Sequence, residues 1–216
     1  MSPVTRHMSP AKNQPGIGVV ILGAGASSRM GRPKLLLPWG DTSVIGHIIG
    51  QWRELGAGQI TVVHRPKDAL LSAELDRLNF PVLGRIPNPK PERGMFSSVI
   101  CAATWAGWEK SISIWAIVLG DQPHLQMATL RALLECAAQN PHAVCQPKFN
   151  GHARHPVLLP RQACAELQRT QAKTLKSFLQ RTSCPSVKCP LTDPGLALDM
   201  DTPADYKQAK ILLNEA

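Results

Sequence analysis

The reading of this chain turns on Ile17-Gly18-Val19-Val20-Ile21-Leu22 and the segment it runs into, Gly23-Ala24-Gly25-Ala26-Ser27-Ser28-Arg29-Met30-Gly31-Arg32-Pro33-Lys34. The first six residues form a short, β-rich apolar run that halts at a glycine, the pattern of a strand buried on both faces of a parallel sheet. Glycine lets the backbone beyond it turn sharply and present N–H groups to phosphate oxygens, and Ser27 and Ser28 add hydroxyl donors. Arg29 and Lys34 bring fixed positive charge of the kind that suits a triphosphate. Leu22, Gly23, Ala24, Gly25, Ser27, Ser28, Arg29, Gly31 and Lys34 are therefore candidate nucleotide-binding residues. Two familiar phosphate loops fit badly. A dinucleotide fingerprint needs a third glycine where Ser28 stands and an acid ending the second strand, where His64-Arg65 stands. A Walker loop needs Gly-Lys-Ser/Thr, whereas Gly31 is followed by Arg32-Pro33-Lys34. The plainer reading, a glycine turn with surface cations, does not account for serine, arginine, glycine and lysine on one loop.

Outward from this loop, strands and helices alternate. Ser43–Leu55 places Val44, Ile45, Ile48, Ile49, Trp52 and Leu55 at helical spacing, with Asp41 or Thr42 positioned to cap its start. Gln59–Val63 reads as a strand, Met95–Ala106 as a helix, Ile112–Leu119 as a second buried strand and Met127–Ala138 as another helix. Ala143–Gln146 and His155–Leu159 read as strands joined through Asn150-Gly151, a hairpin-turn signal. Helical stretches at Arg161–Arg169 and Thr174–Arg181 precede a strand near Leu196–Met200. A final helix starts at Pro203, with Thr202 as its cap and Asp205 three residues on. Alternating βα units with right-handed crossovers imply an α/β fold: a doubly wound, mostly parallel sheet with a small antiparallel β insertion. Ligands in such sheets bind beyond the carboxyl ends of strands, which directs attention to the residues after Leu22, Leu119 and Met200.

At 216 residues, with 44% hydrophobic and 18% charged, the chain has an ordinary globular balance that excludes a largely disordered protein. We expect one domain over 16–216, preceded by a loose tail over 1–15. That tail carries Arg6, His7, Lys12 and three prolines but no apolar core of a secretory signal. No apolar run approaches the ~20 residues of a membrane span. None of the six cysteines forms a CxxC pair, so a zinc site is not indicated and reduced thiols in a cytoplasmic protein are expected. The net charge of +9 suits anionic partners. Its basic residues are scattered, however, and one Tyr and four Phe leave little stacking surface, which points to small-molecule substrates rather than nucleic acid.

Asp121 follows the predicted strand Ile112–Leu119 at the carboxyl edge, where a carboxylate can hold a hard cation such as Mg²⁺. A role as helix cap is awkward, because the next predicted helix begins only at Met127. Arg85–Arg93, with Pro87, Pro89 and Pro91, is too proline-rich for a helix or central strand and reads as a loop delivering Gly94-Met95 and Ser97-Ser98 to a site. Asp201 adjoins the capped final helix and could simply support its N-terminus.

Leu22-Gly-Ala-Gly-Ala-Ser-Ser-Arg-Met-Gly-Arg-Pro-Lys34, continuing into Leu35-Leu36-Leu37-Pro38, resembles the signature of the small sugar-nucleotide-type nucleotidyltransferases. The likeness is greatest to the molybdenum-cofactor (molybdopterin) cytidylyltransferase branch. Arg93-Gly94-Met95-Phe96-Ser97-Ser98, Val118-Leu119-Gly120-Asp121-Gln122-Pro123 and Asp199-Met200-Asp201-Thr202-Pro203-Ala204-Asp205-Tyr206 extend it in the same order. The resemblance implies Mg²⁺-dependent transfer of a nucleotidyl group from a triphosphate to a phosphorylated acceptor. Molybdopterin is the implied acceptor, and Ala24 before Gly25 leans towards CTP. It further implies Asp121 and Asp201 as metal contacts (with Asp199 the alternative to Asp201) and Arg29, Lys34 and Asp121 as catalytic groups. Gly94, Met95 and Ser98 would lie against the base and ribose. Gly151–Pro156 resembles the family's Gly-His-Pro element near the acceptor, which makes His155 a candidate acceptor contact, although Arg154 stands where the family has glycine. Arg169–Thr174 departs from a Gly-Asp-x-Gly-Ala-Arg-like segment. That departure leaves open cytidylyl or uridylyl transfer to an isoprenoid or sugar phosphate, or a non-catalytic protein that binds the cofactor for insertion into a molybdoenzyme.

Overall fold

Val19, Val20 and Ile21 are at most 1% exposed, which places the strand β1 (Gly16–Leu22) at the centre of the sheet. The computed structural model describes residues 16–25 and 28–214; the expected tail 1–15 and Ser27 lie outside them. A two-stranded ribbon follows, β2 (Pro38–Trp39) with β3 (Thr42–Ser43). Next come α1 (Val44–Glu54), β4 (Gln59–His64), α2 (Ala69–Arg77), β5 (Arg85–Pro87) and α3 (Met95–Thr104). The second half comprises β6 (Ile112–Leu119), α4 (Met127–Gln139), β7 (Val144–Phe149), β8 (His152–Ala153) and β9 (Val157–Pro160). It ends with α5 (Arg161–Leu167), α6 (Leu175–Leu179), β10 (Ser186–Pro190) and α7 (Pro203–Asn214).

Among the described residues the main sheet runs β10-β7-β9-β6-β1-β4-β5, with β8 paired to β7. β5, β4, β1 and β6 are mutually parallel, while β9 runs antiparallel between β6 and β7. This is the expected α/β sheet with its antiparallel insertion. Strand order reverses across the β1–β6 pair, where Leu22 stands opposite both Val63 and Leu119. A crevice therefore opens beyond the carboxyl ends of these three strands.

The two sheet faces bury separate cores. One holds Ile45, Ile48, Ile49 and Trp52 of α1 with Leu130 and Leu133 of α4. The other holds Phe96 and Val99 of α3 with Ala163 and Leu167 of α5. Burying each large side chain contributes about 1.5–3 kcal/mol, so the helices are held by packing more than by propensity.

Several details differ from the sequence reading. Ser43, rather than Asp41 or Thr42, caps α1: its hydroxyl accepts from Gly46 N at 3.1 Å, because the β2–β3 ribbon carries the chain one residue further before it coils. α2 and β10 have no counterpart in that reading. α2 buries only Leu71 and Leu75, and β10 is an edge strand with one buried residue, so both lack a strong periodic signature. No strand forms near Leu196–Met200. Pro194–Ala197 is instead a 3₁₀ turn capped by the Asp193 carboxylate, which accepts from Gly195 N at 2.8 Å. The Asn150-Gly151 turn does make a hairpin, but it closes β7 onto β8, with φ of 47° and 81°. Cys136 and Cys189 are bonded rather than free thiols, because α4 packs against β7 while β10 pairs with it, and their Cα atoms come to 6.8 Å. Cys101, Cys145, Cys164 and Cys184 are free. Among the described residues no helix is long and apolar enough to cross a membrane.

Candidate active site

The crevice at the strand-order reversal is a cleft of about 460 Å³. Leu22, Gly23, Ala24 and Gly25 form its floor at the end of β1; Leu119, Gly120 and Asp121 form one wall at the end of β6. Gly94, Met95 and Ser98 contribute the opposite wall, and Arg29, Lys34 and Asp201 face in from loops. Thus most of the residues singled out from sequence meet in one place. Gly31 and His155 do not line the cleft. The His155 Nδ1 lies 3.4 Å from the Ile117 carbonyl instead, and burial lowers its pKa, which favours the neutral ring. Ser27 and the Ser28 side chain lie outside the described residues.

Local hydrogen bonding decides which groups remain available. Gly23 N already donates to Val63 O at 2.8 Å, so its amide belongs to the sheet and is not available to a ligand in the cleft. Gly120 N donates to Leu22 O at 3.2 Å. A Cβ on Gly120 would stand 2.8 Å from that oxygen and 2.7 Å from Leu35 Cδ2. Gly120→Ala is therefore expected to cost roughly 1–3 kcal/mol of stability as β1 and β6 are forced apart. Denaturant unfolding checks this, and an unchanged midpoint would show that the strand ends can separate freely.

The wall over 88–98 is organised by Asn88, a residue the sequence reading passes over. Its side chain is 1% exposed. Its Nδ2 donates to Ser97 Oγ at 2.8 Å and Ser98 Oγ at 2.9 Å, and its Oδ1 accepts from Lys90 N at 2.9 Å. Gly94 then adopts φ 84°, ψ 178°, a region essentially reserved for glycine, and so turns the proline-rich loop into α3. Arg65, just past β4, and Glu92 also line the cleft. An asparagine amid prolines is the one signal that could have flagged Asn88. For Arg65 the signal is its place after a carboxyl-terminal strand end.

Asp121 and Asp201 are eighty residues apart in sequence, and docking of segment 193–201 onto loop 121–126 unites them. Asp193 Oδ2 accepts from Gln126 N at 3.0 Å, Met200 N donates to Asp121 O at 3.2 Å, and Gln122 Nε2 donates to Asp199 Oδ1 at 2.9 Å. His124 Nε2 lies 3.0 Å from Gly195 O. At the centre, Lys34 Nζ donates to Asp121 Oδ2 at 3.0 Å and to Asp201 Oδ1 at 2.6 Å. Arg29 pairs with the other Asp201 oxygen at 2.5 Å. Burial disfavours the Lys34 ammonium, but the two carboxylates outweigh it and raise its pKa above the usual lysine value. Burial, then repulsion from Asp121 and Asp201, raises that of Asp199. The Arg29 side chain is 70% exposed, so its pair is worth at most about 1 kcal/mol and exchanges readily.

Two carboxylates converging on one ammonium show that the site accepts a cation between them, and oxygen donors of this kind suit a hard divalent ion. Asp121 and Asp201 are the residues whose oxygens would hold such an ion.

Comparison with known proteins agrees with this architecture. Over 195 residues the chain is 27% identical to the molybdenum cofactor cytidylyltransferase of Escherichia coli (strain K12), covering 90% of this chain and 95% of that protein. Rv0371c from Mycobacterium tuberculosis H37Rv superposes with a TM-score of 0.70 at 25% identity, over 92% of this chain and 99% of that one. The same protein solved in complex with manganese gives 0.67 at 25% identity, over 92% and 100%. Residues 19–186, from the core of β1 to the start of β10, match the model of the MobA-like NTP transferase domain, and the chain belongs to that nucleotidyltransferase family.

Proposed function

We propose that this nucleotidyltransferase moves CMP from CTP to a molybdopterin-type phosphate and releases pyrophosphate, with Mg²⁺ as its metal. The observation that carries the reading is the pair Asp121 and Asp201, brought to 3.0 and 2.6 Å from one cation beside the Ala24–Gly25 turn. CTP and molybdopterin come from the likeness to the E. coli enzyme, and a divalent metal is supported by the manganese complex of the mycobacterial relative.

In this mechanism an acceptor phosphate oxygen attacks the α-phosphorus in line, the bond to the bridging oxygen breaks, and pyrophosphate departs without a covalent enzyme intermediate. The protein contributes position and charge. A divalent ion on Asp121 and Asp201 would supply neutralising charge to the phosphates. The Ala24 and Gly25 amides cradle the triphosphate. Lys34 and Arg29 leave the carboxylates for the β- and γ-phosphates, which holds the leaving group. Gly94, Met95 and Ser98 pack against the nucleoside. His155, whose Nδ1 lies 3.4 Å from the Ile117 carbonyl, remains the candidate contact for the acceptor.

A melting screen of the four ribonucleoside triphosphates, with and without Mg²⁺, tests the reading. CTP at about a hundred times its Kd, with Mg²⁺, is expected to stabilise the fold by roughly 2.7 kcal/mol. Pyrophosphate release should then follow addition of molybdopterin. Tight molybdopterin binding with no release under any triphosphate would favour the non-catalytic alternative; release with an isoprenoid or sugar phosphate alone would reassign the acceptor.

A further inference from the structure

We infer that Arg65 and Glu92 read the base, and that together they select cytosine over uracil. This rests on the triphosphate site proposed above and adds to it the residues that choose the nucleotide. Both side chains line the cleft, Arg65 half-buried just beyond β4 and Glu92 exposed on the loop before α3. Among the described residues neither the guanidinium nor the carboxylate has a hydrogen-bond or ion-pair partner. The other charged groups lining this cleft are Arg29, Lys34, Asp121 and Asp201, and those are bound to one another. The cleft therefore has an internally neutralised end and an end with one unengaged donor group and one unengaged acceptor group.

Topology sets which end meets which part of a nucleotide. Asp121 follows β6, the Ala24–Gly25 turn follows β1, and Arg65 follows β4, on the far side of β1. With neighbouring strands about 4.8 Å apart, Arg65 stands roughly 10 Å across the sheet from the metal-binding carboxylates. A triphosphate seated over β1 and β6 thus directs its base towards Arg65 and Glu92. The main-chain bonds Gly23 N to Val63 O and Asn88 N to His64 O, both 2.8 Å, fix the two segments on either side of Arg65.

Cytosine presents adjacent acceptors, O2 and N3, and an exocyclic N4 amino donor. A guanidinium forks onto two adjacent acceptors, and a carboxylate accepts from the amino group. Uracil carries N3–H and O4 at the latter two positions. It would point a donor at Arg65 and an acceptor at Glu92, leaving desolvated groups unpaired.

The test measures binding of three probes, CTP, UTP and inorganic pyrophosphate, by calorimetry in Mg²⁺ to the wild-type protein, Arg65→Met and Glu92→Gln. Arg65→Met is expected to weaken CTP by about 10- to 100-fold, the discrimination typical of one bidentate pair, with pyrophosphate affinity within about twofold of wild type. Glu92→Gln is expected to reduce the CTP-over-UTP preference by about tenfold or more while leaving pyrophosphate unchanged. Retained pyrophosphate binding also shows that each variant is folded. Equal losses of CTP and pyrophosphate in Arg65→Met would make Arg65 a phosphate ligand and overturn the inference, as would unchanged CTP affinity in that variant or a wild-type protein that binds UTP as tightly as CTP. Failure of the wild-type protein to bind any of the three probes would bring down the triphosphate site itself.

Discussion

Asp121→Ala is expected to lower turnover roughly a hundredfold or more, with Asp121→Asn nearly as impaired despite its matching volume. The argument is electrostatic. Nucleotidyl transfer gathers negative charge on the departing pyrophosphate, and the protein answers with fixed charge rather than covalent chemistry. Removing one of two carboxylates weakens the grip on any divalent ion, while Lys34 keeps its bond to Asp201 at 2.6 Å. Asparagine keeps the loop packed and separates a charge effect from a structural one. The loss should fall mainly on kcat, since the nucleoside end of the cleft is untouched. Steady-state kinetics of both variants at saturating CTP and Mg²⁺ provide the measurement. Near-normal turnover in either would remove Asp121 from the mechanism.

Lys34→Met should have two effects of opposite sign. Turnover falls by about a hundredfold, because the leaving pyrophosphate loses its cation. Binding of Mn²⁺ without nucleotide, read by electron paramagnetic resonance, becomes about tenfold tighter or more, because the ammonium no longer competes for Asp121 and Asp201. The metal-free variant should lose roughly 1–3 kcal/mol of stability, since Asp121 and Asp201 are left without the ammonium they share. Added Mn²⁺ should recover much of that loss. The raised Lys34 pKa means that its stabilisation is present at all pH values below about 10.5 and is lost only as pH rises through the higher folded value, so these comparisons are valid near neutrality. Unchanged or weaker Mn²⁺ binding in Lys34→Met would refute the idea that lysine and metal share one position.

The glycine-serine-arginine loop, the central strands and the long helices were legible in the chain because their signals are local. A buried strand is a run of apolar residues, an amphipathic helix such as α1 repeats every three to four residues, and the α7 cap is written in Thr202, Pro203 and Asp205. There the Thr202 N–H and hydroxyl both donate to Asp205, at 2.7 and 2.8 Å. Edge strand β10 and short α2 bury too little to show such a pattern. The 3₁₀ turn at Pro194–Ala197 took the place of an expected strand because its role is to buttress loop 121–126, a partner nearly seventy residues away.

By itself, the order of residues determined the α/β class and singled out the candidate phosphate loop and the two acids worth watching, since these depend on backbone conformation and side-chain chemistry at contiguous positions. Only folding decided that Lys34 would lie between Asp121 and Asp201, that Gly23 would give its amide to the sheet, and that Arg65 would share a cleft with Glu92. Such facts are distances between remote segments. They come from strand order and from the docking of 193–201 on 121–126, which no local spacing encodes.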